Sequence, residues 1–497
     1  MHAPATYTST PSSIRSPERV AFVLVAGSLA LHVLLSGLVS LSPQEAYYWQ
    51  YARHLDLSYF DHPPLAAWTI RATTALFGDG ERAIRLAAAL HAALSAVFLF
   101  LAGRRLFGAQ AALLALVAML VTPIFALGQT VVTPDAPLLS GWAAALYFTV
   151  RALDEERGAW LLAAGAAVGW ASLGKYTGWL LAPQVLLVLL LDGRGRRMLV
   201  GPWPYLALLL AVAIFSPVVL WNARHGWVSF GFQFGQRGAA MRSFSPERVA
   251  RFIGLQSLAV TPLLFAALIA AALVAARRAR EAPFRISALF SIPPLALFLA
   301  VSPFMWVKGN WPAPAWPAAL LAAAALALEP ARRLRRLAVA ALGTAAAGTL
   351  YLHLAMAVPA LPFPAHDDVT TGWKELAARV AAERARLVEP SFVLGCSYKP
   401  ASELAYYLPG RPETYAQNAM QEEGLQYDFW SDGRALPGRE GIVVLDRREW
   451  RNCLRRDELC RPLEALAPLV VRRGGRVVTT FDLWRCRFAA TMLGKSP

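Results

Sequence analysis

The chain has 497 residues, of which 57% are hydrophobic and only 16% charged, with a mean hydropathy of +0.42. Water-soluble domains carry about 25% charged residues, so an ordinary soluble enzyme is excluded. A net charge of +16 invites a nucleic-acid partner, but no basic-aromatic stripe accompanies it, and none is expected.

Taken in chain order, residues 1–19 are rich in Ser, Thr and Pro and read as a disordered cytoplasmic lead. The apolar segment that follows is too long for a signal-peptide core and is read as a retained anchor. About eleven apolar runs follow, at roughly 20–41, 84–103, 110–128, 136–153, 159–175, 177–192, 202–221, 250–276, 285–306, 312–328 and 337–358. Each is near the length that crosses a ~30 Å hydrocarbon core. Basic clusters at Arg104-Arg105, Arg194/Arg196/Arg197, Arg277-Arg278/Arg280 and Arg332-Arg333/Arg335-Arg336 lie in short loops after even-numbered runs. That asymmetry puts those loops and the N-terminus in the cytoplasm, next to anionic lipid.

An odd number of spans puts the polar region 361–497 outside, beyond a transmembrane region 20–360 whose first outer loop is 42–83. All four cysteines, Cys396, Cys453, Cys460 and Cys486, fall in this tail. An even count facing an oxidising compartment predicts one or two disulfides, with all three connectivities open. Helices over Trp373 to Val388 and Ser402 to Leu408, and strands at Ser391 to Gly395, Gly441 to Leu445 and Arg476 to Phe481, predict a small α/β domain. The predicted fold class is a polytopic all-α membrane protein with about eleven transmembrane helices plus that small C-terminal extracytoplasmic domain.

The chemistry gathers in the outer loops. Glu45 to His54 reads as an amphipathic helix lying on the membrane, and Pro63 to Phe77 as a second helix opened by its prolines. Glu45 is a candidate general base or a helix cap. In Asp61-His62-Pro63-Pro64 the tandem prolines fix the backbone of the residues before them. His62 or Arg53 can bind phosphate there, and Asp61 can orient His62 or bind a metal. The plainer reading is a rigid turn with an Asp cap.

Asp135, in Thr133-Pro134-Asp135-Ala136-Pro137, is a catalytic candidate or an N-cap. Lys175, beside Tyr176, can neutralise phosphate or reach to the interface. Lys308, in Lys308-Gly309-Asn310-Trp311-Pro312, is an ordinary interfacial residue or a further phosphate ligand. Asn222, Arg224 and His225 carry a weaker signal. All these groups fall on the side away from the arginine clusters.

Together Glu45-Ala-Tyr-Tyr-Trp49, Leu55 to Leu65, Thr133 to Leu138, Gly174 to Gly178 and Lys308 to Pro312 resemble the lipid-carrier-dependent membrane glycosyltransferases of the GT-C fold. Protein O-mannosyltransferases and lipid A aminoarabinose transferases are among that group. The likeness covers most of 20–320 and implies inverting transfer of a sugar from a polyprenyl-phosphate donor to a lipid, glycan or protein acceptor. The expected setting is the periplasmic face of a bacterial inner membrane.

The family's first-loop Asp-Glu pair falls on Gln44-Glu45. Glutamine cannot act as a base, so that role passes to Glu45 or Asp135, with Asp61 a third catalytic candidate. His62 falls on the family's donor-phosphate contact; Lys175, Arg53 and Lys308 are further expected phosphate ligands. Gln44, Tyr48, Tyr59, Tyr176 and Asn310 are expected to line the sugar and acceptor pocket. A charged His62 would tie activity to pH near ~6.5. No cofactor is demanded; a divalent metal would bind through Asp61 or Asp135.

Three alternatives remain. A transporter or flippase of lipid-linked sugars needs inverted repeats, broken helices and midplane charges, none evident in the sequence. A polysaccharide ligase or polymerase would share this architecture. An oligosaccharyltransferase is disfavoured, since no Trp-Trp-Asp motif occurs.

Overall fold

Alanine and leucine dominate the apolar runs, and both favour helix strongly. The computed structural model describes residues 16–236, 243–364, 367–431, 433–449, 453 and 456–489. Most of the predicted lead lies outside the described residues, and Pro17 already opens a helix.

Every predicted run coincides with helix, from Pro17–Leu35 and Glu81–Phe107 through Asp135–Glu155 and Ala159–Gly174 to Arg332–Ala357. The count of about eleven spans is coarser in the structure. Five helices are long and apolar enough to cross a membrane, or up to seven if each of two bent pairs is one span. Ala109–Val121, Ala159–Gly174 and Ala313–Ala327 are apolar but shorter. The run expected at 250–276 is broken into Pro246–Val260 and Pro262–Arg277, bent by 103°. Pro262 lacks an N–H to continue the ladder, and Thr261 before it adopts a left-handed φ of 73°.

Close helix packing rests on small residues. A Cβ on Gly165 would sit 2.2 Å from the Ala207 carbonyl oxygen, and one on Gly141 would sit 2.7 Å from the Ala171 nitrogen. The helices Asp135–Glu155, Ala159–Gly174 and Trp203–Arg224 therefore meet backbone to backbone. The arginine clusters gather at one end of this bundle, in pairs such as Arg104–Glu18, Arg197–Glu156 and Arg278–Glu329. Partly exposed pairs like these add little stability; their weight is in orientation.

The tail carries a five-stranded sheet in the order β1-β2-β5-β3, with β4 also pairing β5. β1 (Phe392–Gly395) runs parallel to β2 (Glu440–Asp446). β3 (Cys460–Ala465), β4 (Leu469–Arg473) and β2 are antiparallel to the long β5 (Arg476–Phe488). β5 extends well past its predicted end, and β3 and β4 were not expected. The helix predicted from Ser402 begins at Tyr398, capped by the Ser397 hydroxyl. Cys396 pairs with Cys453 and Cys460 with Cys486, which selects one of the three connectivities.

The helix Pro43–Arg53 does not lie on a membrane surface with a wet face. Its residues Glu45 to Ala52 are all buried, because the tail helix Tyr398–Tyr407 packs across it. Tyr47, Trp49, Tyr51, Ala401, Ala405, Tyr406 and Tyr427 share one apolar cluster. Polar bonds tie the same seam: Tyr406 donates to the Asp79 carbonyl at 3.1 Å and Tyr407 to Glu81 at 2.6 Å.

Glu403, on the tail helix, is 1% exposed, and neither carboxylate oxygen has a hydrogen-bond partner. Burial, reinforced by Glu45 and opposed by Arg448 and Arg85, pushes its carboxyl well above the usual range. The folded chain therefore binds a proton more tightly than the unfolded chain. That stabilisation is complete below the ordinary carboxylate range and is lost as pH rises through the raised value. Glu403→Gln is expected to raise the thermal unfolding midpoint in mildly alkaline buffer and leave it unchanged in acid. Equal shifts at both pH values would contradict a neutral buried Glu403.

Candidate active site

At the end of the bundle opposite the arginine pairs, two proline-framed loops and two helix ends converge. The helix Ala159–Gly174 stops at Lys175, which is extended at φ −155° before the turn Tyr176–Leu180. Its ammonium donates to Asp135 Oδ1 at 2.8 Å, and the two side chains are 11% and 13% exposed. Asn310 donates to the other oxygen of Asp135 at 2.7 Å. Three of the predicted motifs, from chain positions far apart, thus meet at one carboxylate. Lys175 Nζ also lies 6.0 Å from the Trp311 ring centre.

Asp61-His62 faces this group across a cavity of about 610 Å³. His62, Lys175, Tyr176 and Gln233 supply its polar wall; Trp179, Leu180, Phe215, Leu297, Phe298 and Met305 supply an apolar one. Asp61 is 8% exposed and accepts from the Tyr51 hydroxyl and, at 3.5 Å, from Tyr47. Burial, reinforced by the Asp61 charge, pushes both phenols well above their ordinary range, so they remain neutral donors. The second Asp61 oxygen stands 3.8 Å from His62 Nε2, and Tyr48 packs edge-on against the imidazole at 5.7 Å. Gln233 donates to the Asp61 carbonyl at 2.7 Å.

Other expected site residues lie elsewhere. Glu45 is 0% exposed, and Arg85 grips both its oxygens at 2.8 Å. It also accepts the Ser42 and Val132 amides at 2.9 and 3.2 Å. With every face occupied it cannot reach an acceptor, so the general-base reading is corrected to the capping one, strengthened by a buried ion pair. Arg53 donates to Glu413 at 2.9 Å and stacks on Trp49 at 5.0 Å; it joins loop to tail and does not line the cavity.

Tyr59 is enclosed, donating to the Tyr51 carbonyl at 2.9 Å with its ring stacked on Tyr51 at 4.0 Å, so its part is structural. Lys308 is exposed and Gln44 is half-buried; neither lines the cavity. Asn222 receives the Ser229 amide at 3.1 Å and His225 stacks on Trp221 at 4.0 Å, both local supports.

Arg85, Tyr47, Tyr51 and Gln233 were not singled out as site residues. Arg85 alone carried a signal, as a charge near the start of an apolar run. The metal reading does not fit: both oxygens of Asp135 are held by amine and amide donors, and Asp61 is held by phenols. Among the described residues no group of three or more His, Cys, Asp or Glu side chains is placed to hold an ion.

A family model described as dolichyl-phosphate-mannose-protein mannosyltransferase matches residues 61–221, a segment that contains Asp61, His62, Asp135 and Lys175. The lipid A galacturonosyltransferase RgtD of Rhizobium johnstonii is 32% identical over 36% of this chain and 38% of its own length. An undecaprenyl phosphate-alpha-4-amino-4-deoxy-L-arabinose arabinosyl transferase of Pseudomonas aeruginosa is 30% identical over 50% of this chain and 47% of its own. The chain thus spans less than half the length of these curated relatives. The crystal structure of ArnT from Cupriavidus metallidurans bound to undecaprenyl phosphate superposes with a TM-score of 0.63 at 20% identity, covering 94% of this chain and 98% of that one. Its apo form gives 0.64 at 20% identity, over 95% and 98%. By fold, the chain belongs with the GT-C membrane glycosyltransferases.

Proposed function

We propose that the chain is an inverting glycosyltransferase that moves a sugar from a polyprenyl-phosphate donor to an acceptor hydroxyl at the periplasmic face of a bacterial inner membrane. One observation carries this reading: a single cavity has an apolar wall suited to a prenyl chain and ends at Lys175 and His62, suited to its phosphate. Lys175 uses one of its three N–H donors on Asp135 and can offer the others to an incoming anion. The names of the two curated relatives favour lipid A as the acceptor class.

In the step, the acceptor oxygen attacks the anomeric carbon as the carbon–oxygen bond to phosphate breaks. The bonding pair leaves with the phosphate, whose charge Lys175 and His62 stabilise. The acceptor proton passes to a carboxylate. Asp61 is the best placed, since Glu45 is locked to Arg85 and Asp135 is held between Lys175 and Asn310. No step needs a metal. The arginine pairs at the other end of the bundle support the orientation by the positive-inside rule.

The reading is tested by incubating purified chain with undecaprenyl-phosphate-linked aminoarabinose or galacturonic acid and lipid A, followed by mass spectrometry. Release of undecaprenyl phosphate with a glycosylated lipid A of inverted anomeric configuration is expected. Intact donor in every combination would contradict it.

A further inference from the structure

A second cavity, of about 410 Å³, opens on the other side of the Asp61 segment. The tail supplies Tyr398, Lys399, Gln417, Glu423 and Arg448 to its lining, and the segment after the helix Trp203–Arg224 supplies Phe232. A thin wall divides it from the donor cavity. Phe232 faces the second cavity while its neighbour Gln233 faces the first and bonds the Asp61 carbonyl. The Tyr398 ring packs 4.6 Å from Tyr47, whose hydroxyl reaches Asp61.

The two linings differ in chemistry. In the second, charges are matched: Lys399 meets Glu449 at 2.6 Å and Arg448 meets Asp446 at 2.8 Å. It therefore presents fixed donors and acceptors with aromatic faces and little net charge, which suits a polyhydroxylated sugar better than a prenyl chain or a bare anion. Gln417 adds an independent sign. It is 2% exposed; its amide nitrogen bonds the Glu423 carbonyl at 3.0 Å, yet its oxygen has no partner among the described residues. Buried acceptors are seldom left unpaired.

We infer that this cavity between the tail and the 231–236 segment is the subsite for the carbohydrate headgroup of the acceptor, delivering its hydroxyl to Asp61 from the side opposite the donor. The inference rests on the glycosyltransferase reading, but its test does not require turnover. The glucosamine disaccharide obtained by deacylating lipid A is titrated calorimetrically into the full chain in detergent, without donor. Wild type is expected to bind it, and Gln417→Ala and Lys399→Ala to bind about tenfold more weakly, the loss of one or two hydrogen bonds. Undecaprenyl phosphate binding, measured in parallel, should be unchanged in both variants, which also shows that they are folded. No binding by wild type, or equal binding by all three proteins, overturns the subsite. Absence of donor turnover in a wild type that binds the disaccharide would instead refute the transfer reading alone.

Discussion

Replacing Asp61 by asparagine is expected to lower kcat by about 10²- to 10⁴-fold, the usual contribution of a general base. The substitution keeps the side chain's shape and an oxygen to accept from Tyr51 and Tyr47, so the fold and its thermal midpoint should hold. The Michaelis constant for the donor should change little, because the phosphate ligands Lys175 and His62 are untouched. Asp135→Asn should behave differently. Asp135 is bonded to Lys175 at 2.8 Å, so its loss frees the ammonium and alters donor binding first. If Asp61→Asn raised only the donor constant and spared kcat, Asp61 would be a residue that orients His62 and nothing more. Full kinetics for the two variants separate these outcomes.

Arg85→Ala is expected to cost about 3–5 kcal/mol of stability, the range for breaking a buried ion pair from one side. Arg85 is 1% exposed. Besides Glu45 it holds the carbonyls of Ser36, Val39 and Ser40, and Glu45 holds the Ser42 and Val132 amides. One pair thus fastens the end of the first helix, the start of the helix Pro43–Arg53 and the segment before Asp135 to the helix Glu81–Phe107. A double replacement by methionines, which can be harmless for an isolated pair, should not recover the loss here, since those backbone groups would stay unpaired. Thermal unfolding in detergent, read by tryptophan fluorescence, measures both variants. A midpoint equal to wild type in Arg85→Ala would refute the anchoring role.

Much of the site was legible because linear motifs report residue type and side of the membrane. Asp61, His62, Asp135, Lys175 and Asn310 all stood in polar, proline- or glycine-framed loops away from the arginines, and the fold gathers them. Partners across long sequence separations were not legible. Glu45 read as a base because its counter-ion lies 40 residues away, within a run scored as apolar. Arg53 read as a phosphate ligand because Glu413, 360 residues on, gave no sign of pairing with it. The helix Pro43–Arg53 showed an amphipathic pattern, and only the tail packed over it explains why both faces are buried. β3 and β4 have largely exposed residues, so they lack the apolar run by which buried strands such as β2 announce themselves.

The account turns on the cavity between His62 and Lys175 being the donor-phosphate site. Binding of undecaprenyl phosphate to wild type and to Lys175→Ala, His62→Ala and Arg53→Ala, followed by native mass spectrometry, tests this most directly. Loss of one charge-assisted phosphate contact should weaken binding at least about tenfold in the first two variants. Arg53→Ala should bind as wild type does, because that guanidinium is engaged by Glu413 outside the cavity. Equal retention of the lipid by Lys175→Ala and His62→Ala, or loss in Arg53→Ala alone, would contradict the assignment.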